Sequence, residues 1–250
     1  MISVRNVSKK YRKFLANDHI SFDVQDGQIA ILMGPNGAGK SAIIKNIVGL
    51  LRFEGEIVLN GFENKSLDAK RVLGYIPEMP AVYDLLTVDE HLEFIARAYK
   101  LENWEARAEE LLERFELKDK RDKLGKELSK GMQQKVSVIC QLVHNPKIVI
   151  FDEPMVGLDP HAIKELKKIF SELKNDGCSV LISTHMIDSV EDYWDVVHIM
   201  VEGKIKATRL NNREETEEKS LEDLFFEITE GNSNTEESSN SEDNTVSKED

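Results

Sequence analysis

Apolar and polar positions along the chain alternate between two periods. Ser3-Val7 and His19-Val24 show strand-like alternation on either side of a basic turn, Lys9-Lys13. Gln28-Met33 is a nearly continuous apolar run, the pattern of a strand buried on both faces. From Lys40 to Leu51 the spacing turns helical, with Ile43, Ile44, Ile47, Leu50 and Leu51 on one side. Gly55-Asn60, followed by Gly61, reads as a strand and turn. Between Thr87 and Leu142 only the helical period survives, in Leu92, Ile95, Ala96 and Tyr99 and again in Ala108, Leu111, Leu112 and Phe115. Phe94 falls in the same stretch and is expected in the core. Alternation then returns as strand Lys147-Phe151, helix Pro160-Lys174, strand Ser179-Ser183, helix Met186-Trp194 and strand Val196-Glu202. Strands interleaved with helices predict an α/β fold with a mostly parallel sheet and crossover helices.

The pattern weakens after Ala207. Ser220-Leu221-Glu222-Asp223 has the form of a capping box, and Leu221, Leu224, Phe225 and Ile228 follow at helical spacing, so one short helix docked by that face is expected. Gly231 to Asp250 is rich in Ser, Asn and Glu, with Val246 its one aliphatic residue, and is expected to be a disordered acidic tail. It is either a solvated end or a regulatory segment.

Charge sharpens this division. The chain of 250 residues carries a net charge of −13, but from Asn212 onward there are 14 acidic and 3 basic residues, so −11 of that charge belongs to the C-terminal stretch. The rest is close to neutral and has no basic stripe for nucleic acid. No apolar run approaches the ~20 residues of a membrane span, and residues 1 to 10 lack the apolar stretch of a signal peptide. A cytoplasmic location is expected. Cys140 and Cys178 sit in apolar surroundings, too few for a disulfide framework and without zinc-site spacing; they read as reduced core thiols.

The chemistry concentrates at two strand ends. Gly34-Pro35-Asn36-Gly37-Ala38-Gly39-Lys40-Ser41 matches G-x-x-x-x-G-K-[ST] in full, between a predicted strand and a predicted helix. Glycines let backbone N–H groups converge on phosphate oxygens, and the helix N-terminus adds partial positive charge. Lys40 should reach the β- and γ-phosphates, and the Ser41 hydroxyl should coordinate Mg²⁺. Ile148-Val149-Ile150-Phe151-Asp152-Glu153 is an apolar strand ending in two carboxylates. Asp152 is the expected Mg²⁺ ligand, and Glu153 the expected general base for an attacking water.

Further motifs follow in order. Leu128-Ser129-Lys130-Gly131-Met132-Gln133-Gln134 lies about 20 residues before Asp152 and resembles the signature motif, usually LSGGQ, of the ATP-binding cassette (ABC) ATPases. Tyr11 stands where that family stacks an aromatic ring on adenine. Gly157-Leu158-Asp159-Pro160 resembles its D-loop, Ser183-Thr184-His185 its switch-histidine motif, and Gly74-Tyr75-Ile76-Pro77-Glu78 occupies its Q-loop position. The resemblance covers residues 2 to about 205.

It implies an ABC ATPase fold: a phosphate-loop core with a mostly parallel sheet, an N-terminal antiparallel β subdomain and a helical insertion at about 87–142. Residues 1–210 would form this domain, 211–230 an extension with a short helix, and 231–250 the tail. The implied activity is hydrolysis of ATP with Mg²⁺. Two such domains would pair head to tail, each nucleotide lying between one chain's phosphate loop and the other's signature motif. Ser129 and Gly131 would contact the γ-phosphate in the partner's site, Asp159 of the D-loop would count among the nucleotide-binding residues, and His185 would contact the γ-phosphate and orient the water.

Three positions depart from the family pattern. Glu78 replaces the Q-loop glutamine, keeping a Mg²⁺ ligand but repelling phosphate more than an amide would. Ala42 follows Ser41 where threonine is usual, which removes one hydroxyl contact to the α-phosphate. Lys130 replaces a signature glycine, and its side chain points either to phosphate or to solvent.

The segments Tyr75-Pro80, Tyr83-Leu92 and Leu221-Thr229 resemble the ATP-binding subunit of Ecs-type exporters. Such a subunit works with a separate integral membrane permease, and that pairing would hold this chain to the inner face of the membrane. Met79, Val82, Tyr83 and Leu86 are candidate permease contacts. The second ATPase chain is either an identical copy or a relative. A soluble ABC ATPase acting in translation or DNA maintenance is the alternative reading; it fits less well, because the chain has one cassette and only about 110 residues between Lys40 and Asp152.

Overall fold

The computed structural model describes residues 1–187, 193–211 and 220–230. The described residues form two sheets. A four-stranded antiparallel sheet has the order β2-β1-β4-β5, made from β1 (Ile2–Tyr11), β2 (Phe14–Val24), β4 (Glu54–Leu59) and β5 (Phe62–Glu63). A six-stranded sheet has the order β10-β9-β3-β8-β7-β6, from β3 (Ile29–Met33), β6 (Leu73–Ile76), β7 (Ile148–Asp152), β8 (Ser179–Thr184), β9 (Val196–Val201) and β10 (Lys204–Leu210). The pairs among β9, β3, β8, β7 and β6 are parallel, and only the edge strand β10 runs antiparallel. The mostly parallel sheet beside an antiparallel N-terminal sheet is the expected fold class.

Helix α1 (Lys40–Ile47) lies between the two sheets. Its Ile43, Ile44 and Ile47 are fully buried with Ile2, Val4 and Ile57 of the small sheet and with Ala30, Leu32, Ile150 and Leu181 of the large one. The odd positions of β3, Ile29, Ile31 and Met33, face the opposite way into a second core with Val149, Phe151, Val180 and Ile182. The central strands are therefore apolar on both faces, as the continuous run at 28–33 requires.

That second core is covered by α3 (Val88–Tyr99), α4 (Glu105–Arg114), α5 (Lys130–Leu142) and α6 (Pro160–Asn175). The segment after α4 also contains two short 3₁₀ turns, Lys118–Lys120 and Gly125–Glu127. Leu221, Leu224, Phe225 and Ile228 of α7 (Leu221–Glu230) pack against the same core. Ser220 Oγ accepts from the Asp223 N–H at 3.0 Å and donates to the Asp223 carboxylate at 2.7 Å, so the expected cap and docked face are both present.

Several expectations change. The first helix ends at Ile47, because Gly49 takes a left-handed φ of 80° and the Leu50 N–H returns to the Lys45 carbonyl at 2.9 Å. Leu50 and Leu51 lie beyond it, and Leu50 is 64% exposed. Phe94 is 49% exposed, not core; it makes an edge contact with Tyr83, ring centroids 5.6 Å apart. β1 runs through Lys9 and Lys10 into Tyr11, and register shifts along β1 break the alternation that would have shown it. The short elements α2 (Leu67–Val72), β5, β6 and β10 had no counterpart in the hydrophobic pattern. The expected helix Met186-Trp194 falls largely, and the 231–250 tail wholly, outside the described residues. No helix among the described residues is long and apolar enough to cross a membrane. Both cysteines are free and buried, and burial pushes the Cys140 thiol up to about 12.

Candidate active site

The parallel strands β3, β7 and β8 end together, and the loops leaving them converge on one cleft of about 470 Å³. The loop after β3 carries Gly34 to Gly39. A Cβ on Gly34 would lie 2.2 Å from the Met200 carbonyl oxygen, so the chain passes only without a side chain. Gly39 needs glycine twice over: its φ is 99°, and a Cβ there would meet the Ala16 carbonyl oxygen at 2.3 Å. Gly39 is also the N-cap of α1 and offers no capping side chain, so the helix presents its first N–H groups at the cleft. Residues 36–42, Ala42 included, line it.

Lys40 is 6% exposed and folds back along its own loop. Its ammonium donates to the Gly34 carbonyl at 2.7 Å and the Pro35 carbonyl at 3.2 Å, and stands 3.5 Å from Glu153 Oε1. Ser41 points across to β7, where its hydroxyl donates to Asp152 Oδ1 at 3.3 Å; Ser183 at the end of β8 donates to the same oxygen at 2.6 Å. Burial pushes the Asp152 carboxyl above its ordinary value; the Ser183 and Ser41 hydrogen bonds oppose that shift and the neighbouring Glu153 charge adds to it.

Glu153 leaves the strand with a φ of 49°, a conformation rare for a non-glycine residue. It is held there from β8: its N–H donates to the Ser183 carbonyl at 3.2 Å and to Ser183 Oγ at 3.1 Å. The turn aims its carboxylate into the cleft, where Oε2 lies 3.0 Å from His185 Nδ1. Lys40, Glu153 and His185 thus form one connected row, and Ser41, Asp152 and Ser183 another.

The oxygen donors Ser41 and Asp152 suit a hard cation such as Mg²⁺, which takes one or two protein carboxylates and completes its shell with water and substrate phosphate. Among the described residues no three His, Cys, Asp or Glu side chains cluster into an all-protein metal cage. Glu78 lines the same cleft from an exposed loop after β6. At the far end stand Tyr11, 44% exposed with the Lys9 ammonium 4.8 Å from its ring centroid, and Phe14. Phe14 and Ala16 of β2 and Val156 in the turn after β7 also line the cleft, and no sequence motif singled them out.

Ser129, Gly131 and Asp159 are not part of this cleft. Ser129 is exposed and caps α5, accepting from the Met132 N–H at 3.3 Å. Asp159 caps α6, accepting from the Ala162 N–H at 2.8 Å. Lys130 is exposed.

Residues 17–156 match the model of the ABC transporter family. The ABC-type transporter ATP-binding protein EcsA of Bacillus subtilis (strain 168) is 37% identical over 92% of this chain and 96% of its own length. A solved ATP-binding subunit of an ABC transporter superposes with a TM-score of 0.86 at 35% identity, over 92% of this chain and 99% of that one. The ATP-binding cassette MJ0796, in a dimeric post-hydrolysis state bound to ADP and Pi, superposes with a TM-score of 0.74 at 26% identity, over 84% of this chain and 98% of that one. With the phosphate loop, the two strand-end carboxylates and the histidine brought together at one cleft, the chain belongs to the ABC transporter family, among its ATP-binding proteins.

Proposed function

We propose that this chain binds and hydrolyses ATP with Mg²⁺, pairs with a second cassette, and drives a separate integral membrane permease. The observation that carries this reading is the convergence of Lys40, Ser41, Asp152, Glu153 and His185 at the ends of three adjacent parallel strands. Loop N–H groups of residues 36–42 and the α1 N-terminus bind the phosphates, and Lys40 supplies the positive charge. Ser41 and Asp152, with Glu78 nearby, hold Mg²⁺, which neutralises phosphate charge when bound. Glu153 accepts the proton of the attacking water, and His185 orients that water and contacts the γ-phosphate. Tyr11, with Phe14 beside it, stacks on the adenine.

The second half of the site comes from another chain. Ser129 and Gly131 lie at an exposed helix N-terminus, a second phosphate-binding end that this chain's own cleft does not use. The dimeric state of the MJ0796 cassette supports this arrangement. In this cycle ATP closes the dimer and hydrolysis reopens it. Met79, Tyr83 and Leu85 are 80%, 54% and 72% exposed on the loop between β6 and α3, and with Phe94 they offer an apolar face to the permease. Likeness to Ecs-type exporters supports an exporting role. The chain would then work in the cytoplasm on the inner face of the membrane, with residues 1–210 as the cassette and 211–250 as an appended extension and tail.

Glu153→Gln tests the core of this. It should lower ATP turnover by roughly a hundredfold or more while an ATP-bound dimer accumulates in size-exclusion chromatography. Wild-type turnover in that variant would remove Glu153 from the base role. Co-purification with ribosomes instead of a membrane protein would favour the soluble alternative.

A further inference from the structure

Helix α5 touches two loops of the site at once, the one after β6 and the 153–159 segment. In its first turn Gly131 lies against Gly157, where a Cβ would come within 2.8 Å of the Gly157 carbonyl oxygen. Gln134, 2% exposed, donates from Nε2 to the Pro77 carbonyl at 3.4 Å, one residue before Glu78. Lys135 holds its ammonium 2.7 Å from Asp159 Oδ2, with its side chain only 8% exposed. Asp159 is thereby engaged on both oxygens, because Oδ1 caps α6.

The lysine is not needed to fill space. Val136, Val138, Ile139 and Leu142 supply the apolar face of α5. A buried ammonium costs solvation, and an unbranched apolar side chain of similar length would pack without that cost. Among the described residues its charge finds one close carboxylate, Asp159, on the segment that begins at Glu153. That segment is short and tightly turned: the Val156 N–H returns to the Glu153 carbonyl at 3.3 Å and the Leu158 N–H to the Met155 carbonyl at 3.3 Å.

We propose that Lys135 is a positioning residue that locks the Ser129-Gly131 turn to the 153–159 segment, so that the surface offered to a second chain's nucleotide and the chain's own Glu153 move as one unit. This rests on the two-chain reading above. Lys135 touches neither substrate nor metal; it acts through Asp159 and Gly131.

The test uses the full chain with Lys135→Met, Lys135→Arg, Asp159→Asn (which keeps the α6 cap) and the Lys135→Met/Asp159→Asn pair. Four readouts are needed: ATP turnover against ATP concentration, the Hill coefficient, the melting temperature, and amide hydrogen exchange at residues 155–160 and 34–42. Lys135→Met should lower kcat about tenfold or more, keep the KM for ATP within about twofold, bring the Hill coefficient to one, and speed exchange at 155–160 but not at 34–42. The double variant should lose no more than Lys135→Met alone, and Lys135→Arg should restore kcat and cooperativity. Wild-type kcat and Hill coefficient in Lys135→Met overturn the proposal. So does a loss that merely follows a lowered melting temperature. If the wild-type chain itself does not hydrolyse ATP, the ATPase reading falls, and the exchange arm still judges the lock: unchanged protection at 155–160 overturns it.

Discussion

The two halves of the chemistry are built differently within one chain. The phosphate-loop half stands on the most buried part of the molecule, with every residue of β3, β7 and β8 buried and α1 clamped between two sheets. Its charged groups are held by one another, by loop carbonyls and by the Ser41 and Ser183 hydroxyls. The signature half stands at an exposed helix end, with Ser129 and Lys130 at the surface. One half is built on the core, whereas the other lies at the surface, where the proposed second chain could reach it.

Separating the two halves by mutation should give the largest effects. Lys40→Met removes the only ammonium folded along the loop carbonyls that the described residues show, and should weaken ATP binding to a single chain by roughly 10–100-fold, the range for charge-assisted hydrogen bonds. Ser129→Arg should leave single-chain ATP affinity within about twofold and yet cut turnover by roughly a hundredfold or more. Equilibrium binding of a fluorescent nucleotide at low protein concentration, beside steady-state turnover, separates the two. Equal loss of affinity in both variants would erase the distinction.

Acid probes the phosphate-loop half through His198 of β9. The ring is buried at 5% exposure, its Nδ1 is 2.9 Å from Thr208 Oγ1, and burial lowers its pKa from 6.5 to about 4. The unfolded chain therefore binds a proton that the folded chain refuses. This contribution is complete above pH 6.5 and is lost as pH falls towards 4, by roughly 3 kcal/mol at the limit. Denaturant melts from pH 7 to 4 should show the decline, and His198→Gln should reduce it, leaving the share of His144, whose pKa burial likewise lowers to about 4.

Two smaller effects tune the cleft itself. Ala42→Thr supplies a hydroxyl at the α1 end of the loop and should tighten ATP binding up to about tenfold, from one hydrogen bond of about 0.5–1.5 kcal/mol; titration calorimetry measures it. Glu78→Gln removes a carboxylate at the cleft rim and should tighten binding severalfold and make it less dependent on Mg²⁺. Identical affinity and rate across a magnesium titration would rule out a role for that charge.

What the sequence made legible follows the same divide. Gly34, Gly39, Lys40 and Ser41 are spaced by the needs of a backbone that must approach phosphate, and Asp152-Glu153 end an unbroken apolar strand, so both could be read locally. The buried faces of β3 and α1 were legible for the same reason. Phe94 was misplaced because helical spacing does not reveal which flank of a stripe finds a partner. β10 was missed because an edge strand buries little: its residues alternate only between exposed and half-buried. The Lys135-Asp159 pair left no local signal at all, since it joins residues 24 positions apart, one within α5 and the other the N-cap of α6.

The central claim is that the exposed turn of one chain completes the buried cleft of another. Intermolecular disulfide trapping tests it directly, because the native Cys140 and Cys178 are buried and Asn36 and Lys130 are exposed. In a Glu153→Gln background, chains carrying Asn36→Cys are mixed with chains carrying Lys130→Cys and oxidised with and without ATP and Mg²⁺. The expected product is a covalent heterodimer that forms with ATP and Mg²⁺ and far exceeds either same-site homodimer. Equal yields with and without nucleotide, or no heterodimer at all, would contradict it.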